Sequence, residues 1–188
     1  MSVLRSLIAA ALASFALVGH GEATMSLAEL AQPGRVLMLR HANAPGTGDP
    51  SNFALADCST QRNLDAAGRA QATRLGERLA RAGIVKAKVY SSQWCRCLDT
   101  ARLLKMGPVV ELPALNSFHG RPEDREPKLA ALRRFLAELP VDGPPTVLVT
   151  HQVTISAFTG EGAVSGGGTV LQLDGSGSPR VLGPIQAD

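Results

Sequence analysis

Two short runs most constrain the fold: Arg35-Val-Leu-Met-Leu-Arg40, rising from Pro33-Gly34, and Thr146-Val-Leu-Val-Thr150. Each is a continuous apolar stretch too short for a helix and without polar alternation, the pattern of a strand buried on both faces. Such strands need a covering layer on each side, and the intervening sequence supplies it. Asp65 caps a predicted helix running to residue 82, with Ala67, Ala72, Leu75, Leu79 and Ala82 inward. Arg69, Arg74, Arg78 and Arg81 face outward, and Gly83 is the stop. Residues 85–91 read as a second strand, 93–105 as a second helix and 109–112 as a third strand. Residues 126–139 carry Leu129, Leu132, Leu136 and Leu139 at helical spacing and end at Pro140. Residues 169–173 and 180–182, separated by Gly-Ser-Gly-Ser-Pro, read as a closing antiparallel pair. This alternation predicts an α/β fold: a three-layer α/β/α sandwich on a mostly parallel sheet with a C-terminal antiparallel edge. No internal repeat or linker divides it.

The 188 residues suffice for one ordinary domain, and an apolar share of 45% is enough to build its core, which excludes wholesale disorder. Nineteen basic residues stand against sixteen acidic ones, a net +3 with no Lys/Arg run, and aromatics reach only 4%. That argues against a surface dedicated to nucleic acid or lipid headgroups.

Residues 1–23 have a different character. Arg5 is followed by an almost unbroken apolar stretch over residues 6–18, and Gly21-Glu22-Ala23 closes it with a small-x-small pattern. This reads as a secretory signal peptide cut after Ala23, leaving one domain over residues 24–188 exported to a bacterial periplasm. An apolar stretch of 13 residues falls short of the roughly 20 that span a bilayer, so no stable membrane insertion is expected after cleavage. The alternative is a buried N-terminal helix retained in an intracellular protein. Export makes one disulfide reasonable among Cys58, Cys95 and Cys97. Cys95 and Cys97 lie too close along the chain to pair easily, which leaves Cys58 with either of them. Buried thiols are the competing reading, and Cys-x-Cys without a nearby His is a poor zinc signature.

In open α/β sheets, ligands bind outside the carboxyl ends of the strands. The first strand runs directly into Arg40-His41, the second into Ser91-Ser92 with Arg96 just beyond, and the fourth into Thr150-His151. Any one of these has an ordinary explanation in surface charge or loop bonding; three strand ends repeating the theme point to one site. Guanidinium groups match the oxygens of a phosphate dianion with paired, charge-assisted hydrogen bonds. A neutral imidazole is a nucleophile near pH 7 and can carry a covalent phosphoryl group. The scheme calls for no metal and no other cofactor. The polar stretch from Asn43 to Asn63 is too long for a mere connection and reads as functional.

These segments resemble the histidine phosphatase (phosphoglycerate mutase-like) superfamily. Val36-Leu-Met-Leu-Arg-His-Ala42 is similar to its opening motif, and Tyr90-Ser-Ser-Gln-Trp-Cys-Arg-Cys-Leu-Asp-Thr-Ala101 to its second signature. Asn63-Leu-Asp-Ala-Ala-Gly68 resembles the segment before the first long helix, and Leu148-Val-Thr-His-Gln152 the segment carrying the second histidine. The matches span residues 35–155 in order, and the Arg-His-Ala form looks more like the compact phosphohistidine phosphatases than the mutases. The resemblance implies a three-layer sandwich, His41 as phosphorylated nucleophile, and Arg40, Arg96 and His151 completing the phosphate pocket. Gln152, Asn116 and Ser117 fall on its substrate side. A disulfide from Cys58 would pin the long loop beside that pocket.

Two departures bear on mechanism. Mutase-like members carry Leu-Asn-Glu as the source of the general acid, where this chain has Leu115-Asn116-Ser117, and others place Asp after the second histidine, where this chain has Gln152. Serine cannot protonate a leaving group at neutral pH. His119, Glu123, Asp124, Asp49 and Asp57 are the remaining candidates, and a phosphoramidate or activated ester would tolerate the gap best. The chain lacks a Gly-x-x-x-x-Gly-Lys loop, a Gly-x-Ser-x-Gly elbow, Cys-x-x-Cys and His-Glu-x-x-His. The expectation is an exported, metal-independent phosphatase for phosphate monoesters or phosphoramidates, acting on a small phosphorylated substrate. The alternative is a catalytically weak or inactive phospho-ligand binding protein on the same fold.

Overall fold

The computed structural model describes residues 24–187; the segment read as a signal peptide lies outside them. Ten elements follow in order: β1 (Arg35–Arg40), α1 (Ala66–Arg81), β2 (Lys88–Ser91), α2 (Cys95–Leu103), β3 (Val109–Glu111), α3 (Arg125–Ala137), β4 (Thr146–Thr150), α4 (Gln152–Thr159), β5 (Gly168–Gln172) and β6 (Arg180–Ile185). The sheet order is β3-β2-β4-β1-β5-β6. The β3-β2-β4-β1 half is parallel, and β5 and β6 add antiparallel to the β1 edge.

Strand side chains alternate between two apolar layers, as a twofold period requires. Leu37, Leu39, Val147 and Val149 meet Leu75 and Leu79 of α1 and Ala101 of α2 on one face. Val36, Met38 and Leu148 meet Leu132 and Leu136 of α3 and Ile155 of α4 on the other. Each fully buried Leu or Ile here contributes roughly 1.5–3 kcal/mol relative to exposure. The central strands are therefore apolar throughout because both faces are covered. β4 is buried at every position, Thr146 to Thr150.

Local differences from the sequence expectation have physical causes. β2 begins at Lys88 rather than at residue 85, and Val85 is exposed. Ala67 is exposed, because the packed face of α1 starts at Gly68 instead. Gly68 approaches the Asn43 backbone, and Gly76 the Leu104 backbone, so closely that a Cβ would collide with each. Helix α4 has no counterpart in the sequence reading. Its Val153, Thr154, Ile155 and Thr159 are poor helix formers, and the helix is closed by Gly160 at φ +80°.

Candidate active site

Three neighbouring strands end together. The His41 N–H donates to the Thr150 carbonyl at 3.0 Å and the Ser92 N–H to the Val149 carbonyl at 2.9 Å, carrying the pairing one residue past β1 and β2. Arg40-His41, Ser91-Ser92 and Thr150-His151 thus reach one edge of the sheet, with Arg96 in the first turn of α2 beside them. A cavity of about 600 Å³ opens there, lined by Arg40, His41, Arg62, Arg96 and His151 among others. That volume suits a small-molecule ligand.

Within it His41 is buried, and its Nδ1 lies 2.8 Å from the Ala42 carbonyl oxygen. A carbonyl only accepts, so Nδ1 carries the proton and Nε2 keeps its lone pair. Burial, aided by the guanidinium groups of Arg96, Arg40 and Arg62, pushes the His41 pKa down to about 3 against the opposing pull of the Ala42 carbonyl. The imidazole is therefore neutral at physiological pH. The His151 ring stands edge-on at 5.5 Å, and burial, with Arg96 and His41 nearby, holds its pKa well below the ordinary value. Ser92 Oγ donates to Asn116 Oδ1 at 3.2 Å and lies 2.8 Å from His151 Nε2. With its only proton so committed, Ser92 accepts from His151 Nε2–H, which leaves Nδ1 as the acceptor nitrogen of that ring.

Arg96 is buried and meets Asp49 end-on, Nη1 to Oδ1 at 2.7 Å and Nη2 to Oδ2 at 3.3 Å. Its Nε has no partner among the described residues. Arg40 donates to the Ala163 carbonyl at 3.0 Å and likewise keeps a buried Nε without such a partner. Two unsatisfied guanidinium donors on residues that line one cavity with a neutral imidazole call for an anion, since a buried orphan donor is costly.

The long loop supplies a third guanidinium that the sequence reading missed. Arg62 donates to the Gly48 carbonyl at 2.8 Å and to the Ala44 carbonyl, and it lines the cavity beside Arg96. Nothing in the sequence separates it from the arginines of α1 except its place at the end of that loop. Phe53 and Trp94 were missed as well; they stack at 5.2 Å on the cavity wall, with the Arg121 guanidinium 5.8 Å from the Trp94 ring.

Not every expected residue meets the cavity. Gln152 and Ser117 line it, but Gln152 spends its amide on Ala163 N–H and Ser156 Oγ. Asn116 is absent from the lining; it braces the end of β2 through Ser92 and the Gln93 N–H. Of the five acid candidates, Asp49 and His119 reach the cavity, whereas Asp57, Glu123 and Asp124 do not. Burial acts to raise the Asp49 pKa, but bonds from Arg96, the Arg62 N–H and Trp94 Nε1 outweigh it and hold the carboxyl below its usual range.

Cys58 is joined to Cys95, with Cα atoms 5.7 Å apart, and Cys97 is a buried free thiol whose pKa burial pushes up to about 12. The bridge fastens the long loop to the start of α2, one residue before Arg96. Next to it, Cys95 N–H donates to Gln61 Oε1 at 3.0 Å, so the loop also satisfies a helix N-terminus that Trp94 leaves uncapped. Among the described residues no group of three or more His, Cys, Asp or Glu is placed to hold a metal, and no helix is long and apolar enough to cross a membrane.

An α/β/α sandwich that sets two neutral histidines at its strand ends, in a cavity lined by three guanidinium groups, defines a class built for phosphoryl groups. The chain belongs to the histidine phosphatase superfamily, branch 1, whose family model matches residues 36–134. The matched stretch holds Arg40, His41, Arg62 and Arg96, and His151 lies beyond it. Membership supports phosphatase activity.

Solved structures share the fold. The protein histidine phosphatase SixA complexed with tungstate is 18% identical, with a TM-score of 0.58 over 81% of this chain and 97% of that one. Mycobacterial glucosyl-3-phosphoglycerate phosphatase with inorganic phosphate is 20% identical, with a TM-score of 0.60 over 82% of this chain and 97% of that one. A protein of Thermus thermophilus is 20% identical, with a TM-score of 0.56 over 82% of this chain and 96% of that one. No curated protein sequence matches the chain.

Proposed function

We propose that this chain is an exported, metal-independent phosphatase that hydrolyses phosphate monoesters or phosphoramidates through a phosphohistidine at His41. The observation that carries this reading is the His41 contact: Nδ1 lies 2.8 Å from the Ala42 carbonyl, which leaves the lone pair on Nε2, in a cavity shared with two arginines whose Nε donors are unsatisfied. In the first step Nε2 attacks phosphorus and the bond to the leaving group breaks. In the second, water attacks the phosphohistidine and the P–N electron pair returns to Nε2. Arg40, Arg62 and Arg96 supply the fixed positive charge for the transferring oxygens, where it acts most strongly on the transition state, and the neutral His151 ring walls the same cavity. The structures of SixA with tungstate and of the mycobacterial phosphatase with inorganic phosphate support a phosphorylated small molecule as ligand.

Export is supported by the pattern of residues 1–23 and by the Cys58–Cys95 bridge, a bond that persists in oxidising compartments. A binding-only protein is the second reading, and Ser117 at the acid position is what favours it.

One experiment addresses these points together. The full chain is expressed with residues 1–23 in place, the N-terminus of the exported protein is sequenced, and p-nitrophenyl phosphate hydrolysis is measured in EDTA. We expect a mature chain starting at Thr24 and turnover that survives EDTA and vanishes in His41→Ala. Its acidic leaving group needs little protonation, so the assay isolates the nucleophile. Near-normal turnover by His41→Ala would overturn the mechanism, and a folded but silent protein would favour the binding reading.

A further inference from the structure

An alkyl or sugar leaving group departs as a strongly basic alkoxide unless something protonates it, and a positioned acid is typically worth ~10²–10⁴ in rate. The cavity holds few groups that can do so. His41 and His151 are neutral and committed to phosphorus and to Ser92, and arginine does not release its proton. Asp49 accepts four hydrogen bonds as a carboxylate, from Arg96 twice, the Arg62 N–H and Trp94 Nε1. Cys97 is buried away from the lining. One titratable side chain in the lining remains.

We propose, resting on the phosphatase reading, that His119 is the proton donor to the leaving group and that the acid stands two residues beyond Ser117. The turn that carries it is fastened from below. Asn116 is anchored to Ser92 and Gln93 at the end of β2, Ser117 Oγ accepts the His119 N–H at 3.1 Å, and the Arg121 N–H closes on the Phe118 carbonyl at 3.0 Å. Ser117 thus serves as the brace of the acid. The turn sets His119 on the solvent-facing rim of the cavity, in reach of both the cavity and water.

The proton balance closes. As His41 Nε2 bonds to phosphorus, the P–O electron pair goes to the leaving oxygen, which takes the proton of the His119 imidazolium. The neutral His119 then accepts a proton from the attacking water as the P–N bond breaks, and inorganic phosphate leaves with the enzyme in its starting state.

The test is a series of aryl phosphates running from p-nitrophenyl to phenyl phosphate, with His119→Gln, His119→Ala and the unmodified protein. Protonation matters more as the leaving group becomes more basic. We expect the ratio of kcat/KM on p-nitrophenyl over phenyl phosphate to rise at least about tenfold in both variants. Added imidazole should restore phenyl phosphate turnover in His119→Ala, a recovery that a merely structural role would not give. A ratio unmoved by either variant, with no recovery by imidazole, overturns the role of His119 alone. An unmodified protein inactive even on p-nitrophenyl phosphate removes the phosphatase reading beneath it.

Discussion

The Nδ1 atom of His41 meets a single acceptor, the Ala42 carbonyl, and that contact decides which ring nitrogen keeps its lone pair. Arg96 is oriented with comparable economy. Asp49 occupies the Nη1–Nη2 end of its guanidinium and leaves the Nε edge without a protein partner among the described residues. The carboxylate therefore positions the arginine while sparing one of its two binding edges. Arg96→Ala should lower kcat/KM on p-nitrophenyl phosphate by ~10²–10³-fold, the scale of losing a key donor to transition-state charge, with a circular dichroism spectrum like that of the parent. A change of less than threefold would place the arginine outside the reaction. The meeting of His41, Arg40, Arg96 and His151 in one cavity was legible because each follows or flanks a recognisable strand end. Arg62 and His119 were harder to assign, since a loop side chain acquires its role only from how the loop folds back, which no periodicity records.

At the scale of elements, apolar runs betrayed β1 and β4 because both faces of those strands are covered, and leucine spacing marked α3. Helix α4 escaped because its β-branched sequence forms a helix only under tertiary packing, with Ile155 fully buried against the sheet. Close helix packing was equally hidden. Gly76 lies where a Cβ would stand 2.4 Å from the Leu104 carbonyl oxygen, so α1 and the end of α2 touch backbone to backbone. In isolation, Gly to Ala favours a helix by about 1 kcal/mol. Here the collision should win, and Gly76→Ala should destabilise by ~1–3 kcal/mol, read as a fall in Tm of several degrees. A raised Tm would mean that the two helices separate without cost. The long loop is the other element whose part was only half legible: its length announced a role, and its chemistry emerged from the Cys58–Cys95 bridge and the Gln61 contact that seat it against α2.

The whole molecule inherits a pH dependence from its buried histidines. His41 titrates near 3 when folded against an ordinary 6.5, and His151 is shifted in the same direction. Between those values the unfolded chain binds more protons than the folded one, so stability rises with pH and is lost as pH falls from about 6.5 toward 3. The depressed carboxyl of Asp49 loses its contribution in the acid part of the same range. Urea midpoints should therefore fall steeply below pH 6.5 by the equivalent of a few kcal/mol, and His151→Asn should flatten the slope. Midpoints level from pH 7 to pH 4 would contradict neutral burial of the two rings. The pairing of His41 with Thr150 has a different consequence. Because His41 and His151 follow adjoining central strands laced one residue beyond their ends, neither can drift from the other while the sheet is zipped. Partial loosening of the surface can alter access to the cavity, but separating the two histidines requires the middle of the molecule to come apart, so their pairing has the lifetime of the fold itself.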